Sequence, residues 1–139
     1  MMICPASFDV RRRFRDRAML AGEDDAAVLF VRFSRAEAVS TSAIAVYEAV
    51  LGLARAQNIS IADAETAVGD LLSRAQAEII PITAEIGRGA IRAFERFGRG
   101  RHSARLNMGD CFAYACARSL EVPLLFKGDD FSQTDIAVT

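Results

Sequence analysis

The 139-residue sequence has few of the side chains that build zinc sites and catalytic triads. It contains one histidine, His102, and three cysteines that form no C-x-x-C pair. A single histidine argues against a zinc site and against a serine–histidine triad. The odd cysteine count (Cys4, Cys111, Cys116) argues against a disulfide scaffold and favours free thiols in a reducing compartment.

Long apolar runs and a strong net charge are also missing. No window approaches 18 uncharged apolar residues, and no apolar stretch follows the basic N-terminal residues. We therefore expect neither a membrane span nor a secretory signal, and a cytoplasmic protein. The net charge is only -1, so affinity for nucleic acid must come from a local patch. Hydrophobic residues at 52% and charged residues at 25% fit one globular domain over residues 1–139.

Hydrophobic periodicity predicts helices alternating with short strands. Helices are expected over 24–38, 43–57, 60–76, 83–97 and 107–120, and strands over 77–82, 122–126 and, at an edge, 136–138. Two helices carry apolar residues at helical spacing that are expected to be buried: Ile44, Tyr47, Leu51 and Ala54 in the first, and Ile86, Ala90, Ile91, Phe94 and Phe97 in the second. The pattern predicts an α/β sandwich with a short parallel sheet covered on both faces, with a site beyond the carboxyl ends of its strands.

Acidic residues are the main candidates for chemistry. Glu48 interrupts an apolar helix, Asp110 lies three residues after the helix-capping Asn107, and Asp129 and Asp130 follow a strand. Each has a simpler interpretation: an exposed stripe for Glu48, a capping box for Asp110, and turn chemistry for the aspartate pair. Together they can converge at one sheet edge, where repulsion between carboxylates is relieved by a hard cation such as Mg²⁺ or Mn²⁺.

Four blocks of the sequence resemble PIN-domain ribonucleases of the VapC toxin family. They are IAVYEA at 44–49, GRGRH at 98–102, LNMGDCFAYA at 106–115 and PLLFKGDDFSQTDI at 123–136. The resemblance extends from Leu20 to the C-terminus. It implies a PIN-like three-layer α/β/α sandwich and a metal-dependent endoribonuclease toxin that cleaves RNA phosphodiesters. It further implies a homodimer and a cognate antitoxin protein that inserts a segment across the active site.

The resemblance also assigns the catalytic and metal-binding acids. Glu48 and Asp110 match family acids, and Asp129 is the best candidate for the third, with Asp130 as the alternative. The family opens with an apolar strand that ends in a metal-binding aspartate, whereas this chain has the run RRRFRDR at 11–17. A buried parallel strand does not hold such a run, so residues 1–17 are atypical. Asp9 and Asp16 lack the apolar strand that would make either one the missing ligand.

Codon arithmetic offers one explanation for this N-terminus. Residues 9–17 can be encoded so that reading one base later gives Met-Phe-Val-Val-Asp-Ser-Ala-Ile-Val, which is the missing strand with its own start codon. We therefore hypothesise a frame-shifted N-terminus, which sequencing of the gene tests. If it is truly translated as written, we expect the segment to be displaced or irregular.

A basic loop precedes Asp110 and is the candidate RNA-binding element. Positive charge concentrates just before Asp110, at Arg92, Arg96, Arg99, Arg101, His102 and Arg105, and the last four of these are the RNA-binding candidates. Gly98 and Gly100 allow close approach of the backbone to a ligand. A solvated helix end would account for the same charges.

Two other function classes compete with the nuclease. Because the first-strand acid is missing, the chain could be a catalytically impaired PIN-domain protein that only binds antitoxin or RNA. A nucleotide-binding switch is disfavoured, since no P-loop and no G-x-G-x-x-G after a strand is present.

Overall fold

A computed structural model describes residues 17–20, 38–125 and 130–137 of the chain. These residues form four strands and four helices: β1 (Arg17–Leu20), β2 (Ala38–Ser42), α1 (Ala43–Gln57), α2 (Ile61–Arg74), β3 (Glu78–Ile80), α3 (Ala84–Phe97), α4 (Met108–Leu120) and β4 (Leu124–Leu125). A 3-10 turn follows at Phe131–Gln133. No helix within the described ranges has the length and apolar character needed to cross a membrane.

The four helices begin at the capping residues that the sequence predicts. The side chains of Ser42, Ser60, Thr83 and Asn107 each accept a hydrogen bond from a backbone N–H three residues further on. These bonds satisfy N–H groups that the first helical turn leaves without partners. The predicted helices over 43–57, 60–76, 83–97 and 107–120 are therefore confirmed, with ends shifted by at most two residues.

The sheet is parallel throughout, in the order β3-β2-β1-β4. The predicted strands over 77–82 and 122–126 are confirmed in shorter form, and the first ends just before Pro81. The edge strand predicted over 136–138 is wrong for residues 136 and 137, which are not in a strand. One hydrogen bond links this segment to β4: Leu124 N–H donates to the carbonyl of Ala137 at 2.8 Å. Residue 138 lies outside the described residues.

Strand β2 was not predicted, because its sequence AVSTS is short and polar. Ser40, Thr41 and Ser42 are all at most 1% exposed. Their hydroxyls resemble cap residues in the sequence, and only Ser42 is a cap. Ala38 is part of this strand, so the predicted helix over 24–38 is wrong at its last residue. Its other residues lie outside the described part of the chain.

Strand β1 lies inside the sheet, between β2 and β4. It begins at Arg17, the last arginine of the basic run, which pairs in register with Ala38. The expectation that a parallel inner strand excludes this run is therefore wrong for its final residue. Residues 1–16, and with them the predicted irregular segment, lie outside the described residues.

Two buried clusters cover the sheet and complete the predicted three-layer sandwich. One joins α1, α2 and Val39 of β2; the other joins α3, α4, Leu124 of β4 and Phe131. Helix α1 buries mainly small side chains, so Tyr47 remains 64% exposed, and on α3 Ile91 is 71% and Phe94 41% exposed. Their predicted burial is wrong, since helical spacing does not fix how wide the covered face is.

Candidate metal centre

The parallel sheet brings the ends of its strands to one edge, where the acidic candidates are expected. Helix α1 starts directly after β2, so Glu48 lies in the second turn beyond the edge of that strand. Asp130 follows β4 after a segment outside the described residues. Asp110 reaches the same region from the first turn of α4.

Glu48 is half-buried and lies against the backbone of Gly109, the second residue of α4. A Cβ atom at Gly109 would overlap the Glu48 carboxylate. The glycine thus gives the carboxylate its place beside the N-terminal end of α4, where the helix dipole favours negative charge. Glu48 of α1 therefore contacts the first turn of α4, which also carries Asp110; that the two acids share one metal site stays a prediction. The interpretation of Glu48 as part of an exposed stripe is wrong.

Asp110 forms the capping box that its spacing predicts. Its carboxylate accepts a hydrogen bond from Asn107 N–H at 2.9 Å, and the Asn107 side chain accepts one from Asp110 N–H at 2.9 Å. Burial raises the pKa of Asp110, which the bond from Asn107 partly offsets. The negative charge of Asp130 raises this pKa further, while the charge of Arg99 lowers it.

Of the two candidates for the third acid, Asp130 lies within the described residues and Asp129 does not. Asp130 is exposed and close enough to Asp110 for its charge to raise the pKa of the Asp110 carboxyl. Asp129, the preferred candidate from the sequence, lies outside the described residues, as do Asp9 and Asp16. Within the described ranges no group of three His, Cys, Asp or Glu side chains has the spacing of a complete metal site.

The donor set fits a hard divalent cation. The groups that meet here are carboxylates, whose oxygen atoms suit Mg²⁺ or Mn²⁺ and not a soft metal. The Glu48 carboxylate occupies the space that the side chain of any larger residue at position 109 would fill. The charges of Asp110 and Asp130 repel one another. A cation between these acids would offset that repulsion and the cost of burying Asp110.

The basic loop between α3 and α4 is closed and anchored. Gly98 and Leu106 form a β-bridge, and Ala104 and Leu106 are fully buried. His102 is half-buried; its Nδ1 accepts a hydrogen bond from Ala104 N–H at 3.0 Å and its ring packs edge-on against Phe97. This histidine therefore shapes the loop.

The arginines of the loop are exposed. They are Arg99, Arg101 and Arg105. The positive charge of Arg99 lowers the pKa of Asp110. Gly100 has a φ of 82°, which favours glycine, whereas Gly98 is required because a Cβ there would overlap the ring of Phe94. Gly98 is thus explained by packing within the protein.

Sequence reasoning missed two features next to this centre. Gly109 was read only as part of a motif, although its position between Glu48 and Asp110 was a signal for close approach. Asp135 was likewise given no role; its carboxylate accepts hydrogen bonds from Tyr114 at 2.5 Å and Arg96 at 3.0 Å, fastening the C-terminal residues to α3 and α4. No sequence pattern indicated that contact.

Comparison with known proteins assigns the family. The PIN domain profile matches residues 17–137. The chain is 36% identical over 120 residues to ribonuclease VapC28 of Mycobacterium tuberculosis, covering 86% of this chain and 88% of that protein. It is 47% identical over 66 residues to ribonuclease VapC30 of the same organism, covering 48% of this chain. The match spans about half (50%) of VapC30.

A solved structure agrees with the fold. A chain of a toxin-antitoxin complex from Klebsiella pneumoniae superposes with a TM-score of 0.62 at 19% identity, covering 88% of this chain and 96% of that one. At this identity the likeness concerns the architecture alone. The family profile and the long alignment with VapC28 show that the chain belongs to the PIN-domain family and, within it, to the VapC group.

Proposed function

We propose that this protein is a metal-dependent endoribonuclease that acts as the toxin of a toxin–antitoxin pair. The observation that carries the proposal is the contact of the Glu48 carboxylate with Gly109, the residue next to Asp110 in the first turn of α4. The names of relatives such as VapC28, a ribonuclease, support RNA as the substrate. The fold shared with a toxin-antitoxin complex supports an antitoxin protein as partner.

In this proposal Glu48, Asp110 and one of Asp129 and Asp130 hold Mg²⁺ or Mn²⁺. Such an ion supplies a water of lowered pKa and stabilises negative charge on phosphate oxygens during in-line attack. Asn107 N–H holds the Asp110 carboxylate in place, and Gly109 leaves room for Glu48. Arg99, Arg101 and Arg105 bind the phosphate backbone of the RNA, with His102 shaping their loop. We further propose a homodimer and a cytoplasmic location, where RNA is available.

A cleavage assay with matched variants tests this function. Glu48→Gln and Asp110→Asn should abolish Mg²⁺-dependent cleavage of single-stranded RNA, because each removes a charged oxygen ligand. Asp70→Asn neutralises an exposed carboxylate on α2 and should cut like the unmodified protein. Chelator should stop cleavage, and excess Mg²⁺ should restore it. Full activity of Glu48→Gln and Asp110→Asn would refute the proposal.

The same assay distinguishes the candidates for the third acid. Asp129→Asn and Asp130→Asn change neighbouring carboxylates in the same way, so they are controls for each other. Asp130 lies close enough to Asp110 for its charge to raise the pKa of that carboxyl, and greater loss in Asp130→Asn would identify Asp130 as the ligand. Greater loss in Asp129→Asn would instead support the preference drawn from the sequence.

Strand β1 supports the alternative of a catalytically impaired PIN-domain protein. Its residues Arg17–Leu20 contain no carboxylate, although it is an inner strand of the sheet. The test replaces residues 9–17 with Met-Phe-Val-Val-Asp-Ser-Ala-Ile-Val. Cleavage by the replaced form alone would support two hypotheses: that the chain as written is catalytically impaired, and that its N-terminus is frame-shifted. Equal cleavage by both forms would show that the first-strand acid is dispensable or supplied by another residue.

A further inference from the structure

A groove lies between α3 and α4, beyond the acidic centre. Its volume is about 360 Å³, and Arg92, Arg96 and Arg118 line it together with a single carboxylate, Glu85. Arginine guanidinium groups bind phosphate oxygens through paired hydrogen bonds. We call this feature the arginine groove. Its excess of positive charge predicts an anionic occupant.

The floor of the arginine groove is made of small residues. Gly89 packs against Ala115 so closely that a Cβ on the glycine would lie 3.2 Å from the Ala115 Cβ. Ala93 lines the groove beside them. The two helices approach closely there, and the larger side chains of Ile86 and Tyr114 also line the groove.

The arginine groove is aligned with the acidic centre. Asp110, Tyr114 and Arg118 are spaced four residues apart on α4, so they share one face of the helix. Tyr114 therefore lies about 6 Å and Arg118 about 12 Å from Asp110 along the helix axis. A chain bound at the acidic centre can continue into the groove without turning around the protein.

The groove arginines differ in how they are held. Arg96 is fixed by Asp135, with a nitrogen–oxygen distance of 3.0 Å. Arg118 lies over the ring of Tyr114, 6.0 Å from its centroid, and Arg92 is exposed. Within the described residues neither Arg92 nor Arg118 forms an ion pair, and the charge of Arg118 lowers the pKa of Asp135. Both arginines are exposed and can reach an external anion.

We propose that the arginine groove binds the phosphodiester backbone of single-stranded RNA on one side of the bond that is cut. The proposal rests on the ribonuclease function proposed above and adds a second contact region to it. Arg92 and Arg118 are exposed at the groove, and their charges complement the phosphates of RNA. An acidic protein is the competing occupant and is an outcome of the tests below.

Binding of RNA in chelator, where no cutting occurs, tests the groove. The probes are fluorescent oligouridylates of 3 and 15 nucleotides, and the variant is Arg92→Gln/Arg118→Gln. Each lost phosphate contact should lower the slope of log affinity against log salt by about 0.7, so the double variant loses about 1.4. If the two arginines contribute nothing to binding near 1 M salt, a slope difference of about 1.4 makes the affinity of the double variant for the long RNA about 25-fold weaker at 0.1 M salt. Affinity for the short RNA should hardly change.

A charge-matched control separates the groove from total charge. Arg55→Gln/Arg74→Gln removes two arginines from the last turns of α1 and α2. This control should keep the affinity for the long RNA within about twofold, since only a few close contacts release counterions. An equal loss in both double variants would overturn the proposal, as would unchanged affinity in the groove variant.

Two further measurements distinguish the remaining outcomes. With Mg²⁺ and long RNA, the groove variant should show a raised KM and an unchanged kcat. If the unmodified protein cuts no RNA but its binding still depends on the groove, the proposed function fails and the groove proposal stands. If cleavage and RNA binding are normal in the variant while binding of poly-glutamate is lost, the groove serves an acidic protein and the proposal is overturned.

Discussion

Substitution Gly109→Ala tests the contact on which the acidic centre depends. A methyl group at this position would occupy the space of the Glu48 carboxylate. The carboxylate must then move away from the N-terminal end of α4 and from Asp110. We expect weaker Mg²⁺ binding and slower RNA cleavage, although no ligand has been changed.

The effect on stability follows from two opposing contributions. Alanine in place of glycine stabilises a helix by up to about 1 kcal/mol. The Glu48 carboxylate is the end of a flexible side chain and can move aside, so the cost is that of leaving the N-terminal end of α4, about 0.3–1 kcal/mol. We therefore expect Gly109→Ala to change the free energy of unfolding of the unmodified protein by less than about 0.5 kcal/mol. In a Glu48→Ala background the clash is absent, and the same change should raise stability by about 0.5 kcal/mol.

A double-mutant cycle measures this coupling. Urea unfolding in chelator gives the free energy of unfolding of the four proteins, and the expected coupling of about 0.5 kcal/mol is at the lower end of the range for residues in contact. Gly69→Ala on α2 is the control, because its added methyl meets no atom within 4 Å. Gly69→Ala should change the free energy of unfolding by the same amount in the unmodified protein and in the Glu48→Ala variant. Coupling near zero at Gly109, with full cleavage activity, would refute the proposed arrangement.

Three other predictions concern ionisable groups. Because burial raises the pKa of Asp110, its ionisation costs stability; Asp110→Asn should be more stable than the unmodified protein at pH 7 in chelator, with the gap closing as pH falls toward 3.8. The hydrogen bond from Tyr114 lowers the pKa of Asp135, so Asp135→Asn should be less stable than the unmodified protein at pH 7, and the difference should be lost below pH 3.8. For either aspartate, a stability difference in urea unfolding that does not change with pH would contradict the prediction. Burial raises the pKa of Cys111 and Cys116 to about 11, so iodoacetamide at pH 8 should modify them only in urea, as mass spectrometry can check.

Local signals in the sequence determined most of the helices. Ser42, Ser60, Thr83 and Asn107 mark four helix starts, because a capping side chain needs only its own first turn to form its hydrogen bond. The capping box of Asp110 was predictable for the same reason. The family resemblance, carried by short motifs, correctly identified the α/β fold.

Tertiary structure decided which residues meet. Strand β2 is buried although its side chains are polar, because helices α1 and α4 pack against it; local sequence could not reveal this. The contact of Glu48 with Gly109 joins residues 61 positions apart, and Tyr114 meets Asp135 across 21. Such contacts depend on how helices pack on the sheet, whereas a helix cap depends only on residues within one turn. The sequence by itself therefore determined where the helices begin and which acids to consider, and the packing of α1 against α4 determined that Glu48 reaches the helix turn that carries Asp110.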